Sequence, residues 1–236
     1  MNQFLHIDYK PTHSWAHRLL VSLNSSTALK VKHAEWSRLR VSALTFSIET
    51  RLGALREIIK QVDGYLNILD NELKRAESID KYIAQKSVYP FGNEPAVRSV
   101  LIGASCFIAE SRSCFENLAC FYREFLRHYF AENVSKAESY EKVVLLTHDS
   151  RWADDLNNLR NNIIHDQTPW LAFLVRNNPP PKYEPILVFN YTAQALTEND
   201  YVPFETLRRI YAGLQEAVQT LAQNLANRVG PIEASQ

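Results

Sequence analysis

Leu44, Ile48, Leu52, Leu55, Ile59, Val62, Leu66, Leu69 and Leu73 recur at steps of three and four residues. On a helix that turns ~100° per residue, that spacing forms a single apolar stripe. Asp63-Gly64 lies inside the run. Glycine costs ~1 kcal/mol relative to alanine in a helix, so a kink or break is expected there, with helical character persisting to about Lys86. Tyr89 to Pro95 is a turn by composition, and Pro95 suits the first turn of the next helix. That helix is expected to run to about Phe130. Its broad, aromatic-rich stripe includes Val97, Val100, Ala104, Phe107, Ile108, Ser111, Phe115, Leu118, Tyr122, Phe125 and Tyr129. This stripe is expected at the centre of the core. Upstream, residues 1 to 11 read as extended and end at Pro11, and Thr12 or Ser14 is expected to cap a short helix through Trp15, Leu19, Leu20 and Leu23.

Downstream, residues 137 to 147 read as a short helix. Asp149 or Ser150 is expected to cap the next one, whose stripe is Trp152, Leu156, Leu159 and Ile163 and which stops at Thr168-Pro169. Residues 170 to 175 and 186 to 189 are apolar runs around a polar, proline-rich turn, as expected of a small β-hairpin or a packed irregular flap. A last helix is expected from near Pro203, through Leu207, Ile210, Leu214, Val218, Leu221 and Leu225, with a loose tail from Gly230. The predicted class is all-α: a bundle of four or five long helices with a hairpin-like insert after the helix of residues 150 to 165. One domain is expected, with residues 1–35 packed on a bundle of residues 36–229 and a tail of residues 230–236.

Composition supports this reading. Of 236 residues, 46% are hydrophobic and only 6 are glycine, which suits long helices and few turns. The 26 basic and 26 acidic side chains cancel, so net charge gives no global signal for nucleic acid or membrane. Residues 1 to 60 nevertheless carry about twice as many basic as acidic groups. Cys106, Cys114 and Cys120 fall on one predicted helix, too far apart for mutual disulfides. No apolar run approaches the ~20 residues of a membrane span, and no signal peptide is expected at Met1–Asp8. A cytoplasmic protein with no membrane partner is predicted.

The chemistry concentrates in Arg160-Asn161-Asn162-Ile163-Ile164-His165. Arginine is a permanent cation whose fork of donors fits phosphate, and histidine exchanges a proton near neutral pH. With the Trp152 stripe facing the core, Asp154, Asn157, Asn158, Asn161 and His165 fall on the far side. Arg160 falls at the border, and Ile164 on a face that should be polar. An amide-rich face with an isoleucine suits a surface that meets a ligand or another protein. The plain alternative pairs Arg160 with Asp155 or Asp149 and leaves His165 to the helix C-terminus.

This segment resembles the motif of the HEPN superfamily of helical-bundle domains: arginine, a polar residue that is often asparagine, a short gap, then histidine. Arg160, Asn161 and His165 match in type and spacing, and the helical order of roughly residues 36 to 228 is similar too. The tyrosine that some toxin members carry after the histidine is absent; Asp166-Gln167 stand there. The resemblance implies a metal-independent endoribonuclease, without cofactor, acting on RNA as a homodimer with a composite site. It also implies a place in defence or toxin–antitoxin systems, with an antitoxin or nucleotidyltransferase as partner. Arg160 and His165 diverge by ~140° on one helix, so two such faces must meet across a two-fold axis. Asn157 and Ile164 would lie in that interface. The competing expectation is a non-catalytic helical module. It would hold a protein or nucleotide on the same face or on the insert around Trp170 and Phe173.

Other constellations are weaker. His13 and His17 have a spacing that can bind a metal but no third ligand nearby. Glu110 and Glu116 sit on the central helix, where Glu116 could support the motif. Lys30, Lys32, Arg38 and Arg40 could contact phosphates or form a solvated face. No phosphate-binding glycine loop or GxSxG elbow occurs.

Overall fold

The structure, a computed structural model, describes residues 15–35, 39–76, 79, 81, 89–165, 169–176, 182–189 and 197–230. The side chains of Lys30, Ile163, Ile164 and His165 lie outside that description. So do the segment expected to be extended, the Thr12 and Ser14 caps, and the tail beyond Gly230.

Among the described residues the fold is mainly helical. The helices are α1 (His17–Ser25), α2 (Lys30–His33), α3 (Arg40–Arg75), α4 (Glu94–Phe130), α5 (Lys136–Val144), α6 (Arg151–His165) and α7 (Glu205–Val229). Strands β1 (Trp170–Arg176), β2 (Lys182–Val188) and β3 (Tyr201–Pro203) form an antiparallel sheet in the order β1-β2-β3. The insert is therefore a hairpin joined by a third strand that the sequence pattern did not announce. Three residues ending in proline show no period to read.

Helix α3 passes through Asp63-Gly64 without a break. Val62, Leu66 and Leu69 flank that point and are buried. Each contributes roughly 1.5–3 kcal/mol on burial, more than the glycine costs. The regular helix ends at Arg75, and Lys86 lies outside the described residues. Helix α4 begins where Asn93 caps it, its Oδ1 accepting from the Ala96 backbone N–H at 3.1 Å. It ends at Phe130, just before Ala131, which has φ 56°. Left-handed backbone costs a non-glycine residue roughly 1 kcal/mol, so Ala131→Gly is expected to stabilise by about 0.5 kcal/mol after its unfolded-state entropy. A urea midpoint that falls instead of rising would contradict this.

The described residues fall into two compact units, to both of which α3, α4 and α7 contribute. One comprises residues 1–50, 117–146 and 216–236. Its core contains Leu19, Leu23, Ile48, Leu118, Phe121, Phe125, Val143, Val218 and Leu221. Trp15 packs edge-on against Phe121 at 4.9 Å and donates its indole N–H to the Thr45 carbonyl at 3.2 Å. Helix α1 has Ala16 as its N-cap, without a side-chain hydrogen bond, so the burial of Leu19 and Leu23 secures it. The Ser135 hydroxyl caps α5 by accepting from the Glu138 backbone N–H.

The other unit comprises residues 51–116 and 147–215 and holds the motif helix. Its core contains Leu55, Val62, Leu69, Val100, Phe107, Phe115, Trp152, Leu156, Ile186, Leu187, Leu207 and Leu214. Pairs from Trp170↔Val188 to Arg176↔Lys182 set the β1–β2 register, and Ile186↔Pro203 begins that of β2 with β3. Arg208 joins α7 to α3 through Asp63. Among the described residues, no helix is long and apolar enough to cross a membrane.

Candidate functional site

Helix α6 is positioned by its buried side and offers its polar side to solvent. Asp149 starts it, its Oδ1 accepting from the Arg151 backbone N–H at 3.0 Å while the Arg151 guanidinium grips the same carboxylate. Those bonds hold the Asp149 carboxyl down at about 2. Trp152, Leu156 and Leu159 are fully buried, as their spacing predicts. The Trp152 indole donates to the Thr147 hydroxyl at 3.0 Å, and its ring meets Phe115 edge-on at 5.2 Å. Gly213 of α7 lies against the same ring. A Cβ there would fall under 3.0 Å from three of its carbons.

The polar side carries the predicted residues. Asp154, Asn157, Asn158 and Asn161 are exposed, and Arg160 is half-buried at the border. Ile164 and His165 occupy the last turn of α6, their side chains outside the described residues. The two carboxylates proposed as plain partners for Arg160 are engaged elsewhere. Asp155 accepts from Arg209 of α7 at 2.7 Å, and Asp149 is held by Arg151. Among the described residues, no ion pair involves Arg160.

Arg112 of α4 escaped sequence reading. Its Nε donates to Glu116 at 2.9 Å, and its Nη1 donates to the Asn157 Oδ1 at 3.0 Å. The guanidinium carbon stands 5.8 Å from the Phe115 ring centroid. Arg112 thus brings a second cation and Glu116 to the amide face. The Arg112–Glu116 spacing of four residues was legible as a helical ion pair; the reach to Asn157 depends on how α4 packs on α6.

The remaining candidates are occupied or lie outside the described residues. Lys32 donates to the carbonyls of His128 and Tyr129 at the end of α4, at 3.5 and 3.3 Å. Arg40 pairs with Glu124 at 3.8 Å. The Lys30 side chain and Arg38 are not described. Glu110 pairs with Arg51. His17 is exposed and His13 is not described. Burial pushes the Cys114 thiol up to about 12, which removes it as a nucleophile. A surface cleft of about 830 Å³ adjoins Asp63, Asp70, Lys74, Tyr183, Glu184 and Arg208. Its charges neutralise one another: Arg208 with Asp63, Lys74 with Asp70, and Glu184 with Arg176. Lys182 also lines the cleft and, among the described residues, joins no ion pair.

No protein-family model matches the chain, and neither a curated protein nor a solved structure matches it.

Proposed function

We propose that this chain is a HEPN-like, metal-independent endoribonuclease. Its helices would belong to a four- or five-helix bundle, and two α6 faces would meet in a homodimer to complete the site. The observation that carries the reading is the pairing of motif and surroundings. Arg160, Asn161 and His165 keep the family's spacing on a helix whose Asn157, Asn158 and Asn161 are exposed, and the two carboxylates expected as plain partners of Arg160, Asp155 and Asp149, are bound by other arginines.

In this mechanism the RNA 2′-oxygen attacks the adjacent phosphorus as its proton passes to a base, and the phosphorus–5′-oxygen bond breaks as that oxygen is protonated. His165 serves as base or acid. Arg160 stabilises the charge that builds on the phosphoryl oxygens, and Asn161 orients the phosphate or the imidazole. The products are a 2′,3′-cyclic phosphate and a 5′-hydroxyl. Asn157 and Ile164 belong to the seam between copies. Service in defence or in a toxin–antitoxin pair follows from the resemblance alone.

Purified protein is incubated with end-labelled RNA in EDTA, wild type beside His165→Ala and Arg160→Ala. Wild type is expected to leave cyclic phosphate ends, and His165→Ala to be slower by about 10²–10⁴-fold. Equal cleavage by wild type and His165→Ala would sink the proposal. The competing reading, a non-catalytic binding module, draws on Trp170, which is exposed at the start of β1. It predicts no cleavage by any of the three proteins.

A further inference from the structure

Residues of α4, α5 and α7 line a pocket of about 270 Å³ that the ribonuclease reading leaves unused. All of them lie in the unit of residues 1–50, 117–146 and 216–236, which does not contain α6. Val143, Leu146, Leu221 and Leu225 give the pocket branched aliphatic walls. Val143, Leu221 and Leu225 are buried, and Leu146, just beyond α5, is half-buried. Leu221 and Leu225 stand one turn apart on α7 and so present one continuous face. The polar residues are Tyr122 of α4, Lys142 of α5, and Asn224 and Arg228 of α7, the last two again one turn apart. Tyr122 is half-buried, whereas Lys142, Asn224 and Arg228 are exposed. The pocket thus combines an apolar floor with a polar, cationic mouth.

The polar groups at that mouth are not used up within the chain. Among the described residues Lys142 joins no ion pair, and neither the Tyr122 hydroxyl nor the Asn224 amide makes a hydrogen bond. Glu138, one turn before Lys142 on α5, is likewise in no ion pair among the described residues and does not line the pocket. Arg228 pairs with Glu132, and its guanidinium carbon stands 4.3 Å from the Phe130 ring centroid. Those contacts fix the guanidinium while its fork keeps further donors. Burial raises the Tyr122 pKa above its ordinary value, against the nearby charge of Arg228 and with those of Glu132 and Glu138, so the phenol is a hydrogen donor at neutral pH. With Glu132 matched to Arg228, Lys142 is the unmatched charge of the lining. A lysine in the last turn also complements the C-terminus of α5. That role needs neither the aliphatic floor nor a free phenol and amide around it.

We propose that this pocket binds a small monocarboxylate with an aliphatic tail. The tail lies against Val143, Leu221 and Leu225, the carboxylate pairs with Lys142 and Arg228, and Tyr122 and Asn224 donate to it. The volume falls just below the ~300–1,000 Å³ of drug-sized sites, so the ligand is small. The charges select a single negative one. A phosphate monoester carries about −1.5 to −2 at neutral pH and would set its surplus against Glu132. A neutral apolar molecule would fill the floor but leave Lys142 without a counter-charge. This site uses no residue of α6, does not depend on the oligomeric state, and stands or falls independently of the ribonuclease reading.

The test is isothermal titration calorimetry of the full chain with octanoate, beside 1-octanol, butyrate and inorganic phosphate. Wild type is expected to bind octanoate saturably at one site per chain. It is expected to bind 1-octanol and butyrate at least about tenfold more weakly, since the first lacks the charge and the second most of the tail. Lys142→Gln is expected to weaken octanoate binding about tenfold by removing the unmatched cation. Asn224→Asp is expected to weaken it by about as much, because it sets a carboxylate against that of the ligand. Both positions are exposed, so thermal unfolding of each variant is expected to match wild type; if one of them misfolds, the other decides. Octanoate that fails to saturate wild type overturns the proposal, as does equal octanoate affinity in wild type and a folded variant. Binding of 1-octanol, butyrate or phosphate as tightly as octanoate overturns it too.

Discussion

Gly213→Ala is expected to destabilise the protein by about 3 kcal/mol, at the upper end for overpacking a core. Alanine normally improves a helix interior by ~1 kcal/mol over glycine, so the expected sign is reversed. The reason is the Trp152 ring, whose Cγ, Cδ1 and Cδ2 would all lie under 3.0 Å from the new Cβ. Those atoms belong to a fully buried, rigid ring held by the Thr147 hydroxyl and by Phe115, so they cannot swing aside as a lysine tip would. For a chain of this size, the loss corresponds to a melting temperature lower by about 10 °C. Thermal unfolding of the two proteins measures it. A melting temperature equal to or above wild type would show that α7 does not approach Trp152 as closely as the structure has it.

Trp152→Ala is expected to cost about 4 kcal/mol. It removes a large buried ring, opens a cavity beside Phe115 and leaves the Thr147 hydroxyl without its indole donor. Chemical denaturation gives the magnitude, and a loss under ~1 kcal/mol would contradict full burial. The two substitutions must also couple, because they act at one contact. In the Trp152→Ala background the space against Gly213 is empty, so Gly213→Ala should be neutral or stabilising there. A double-mutant cycle showing simple addition would mean that the glycine is needed for some other reason. Since Trp152 anchors the buried side of α6, its loss also loosens the face that carries Asn157, Arg160 and Asn161.

Much of the helical framework was legible in the chain. The Leu44–Leu73 stripe led to α3, and the aromatic run from Val97 led to α4, with its end at Phe130. Both work because a period of three to four residues is a local property, and burial then favours the face it defines. The same rule sorted α6, with Trp152, Leu156 and Leu159 inside and the asparagines outside. Gly64 misled, because a local penalty was weighed without the buried leucines around it. Strand β3 was missed because its pairing is set by β2 rather than by any pattern of its own.

The candidate site divides along the same line. Sequence alone placed an arginine, amides and a histidine in the last turns of an amphipathic helix, since those positions follow from helix geometry. Only tertiary structure decided which carboxylates Arg160 does not have. Asp155 is claimed by Arg209 from α7, more than fifty residues away in the chain, and Asn157 by Arg112 from α4. It also turned Gly213 from an apparent weak point in α7 into the room that Trp152 requires. Hydrophobic periodicity specifies which face of a helix is buried. Which side chain meets it there depends on packing between elements distant in sequence, and no local pattern records that.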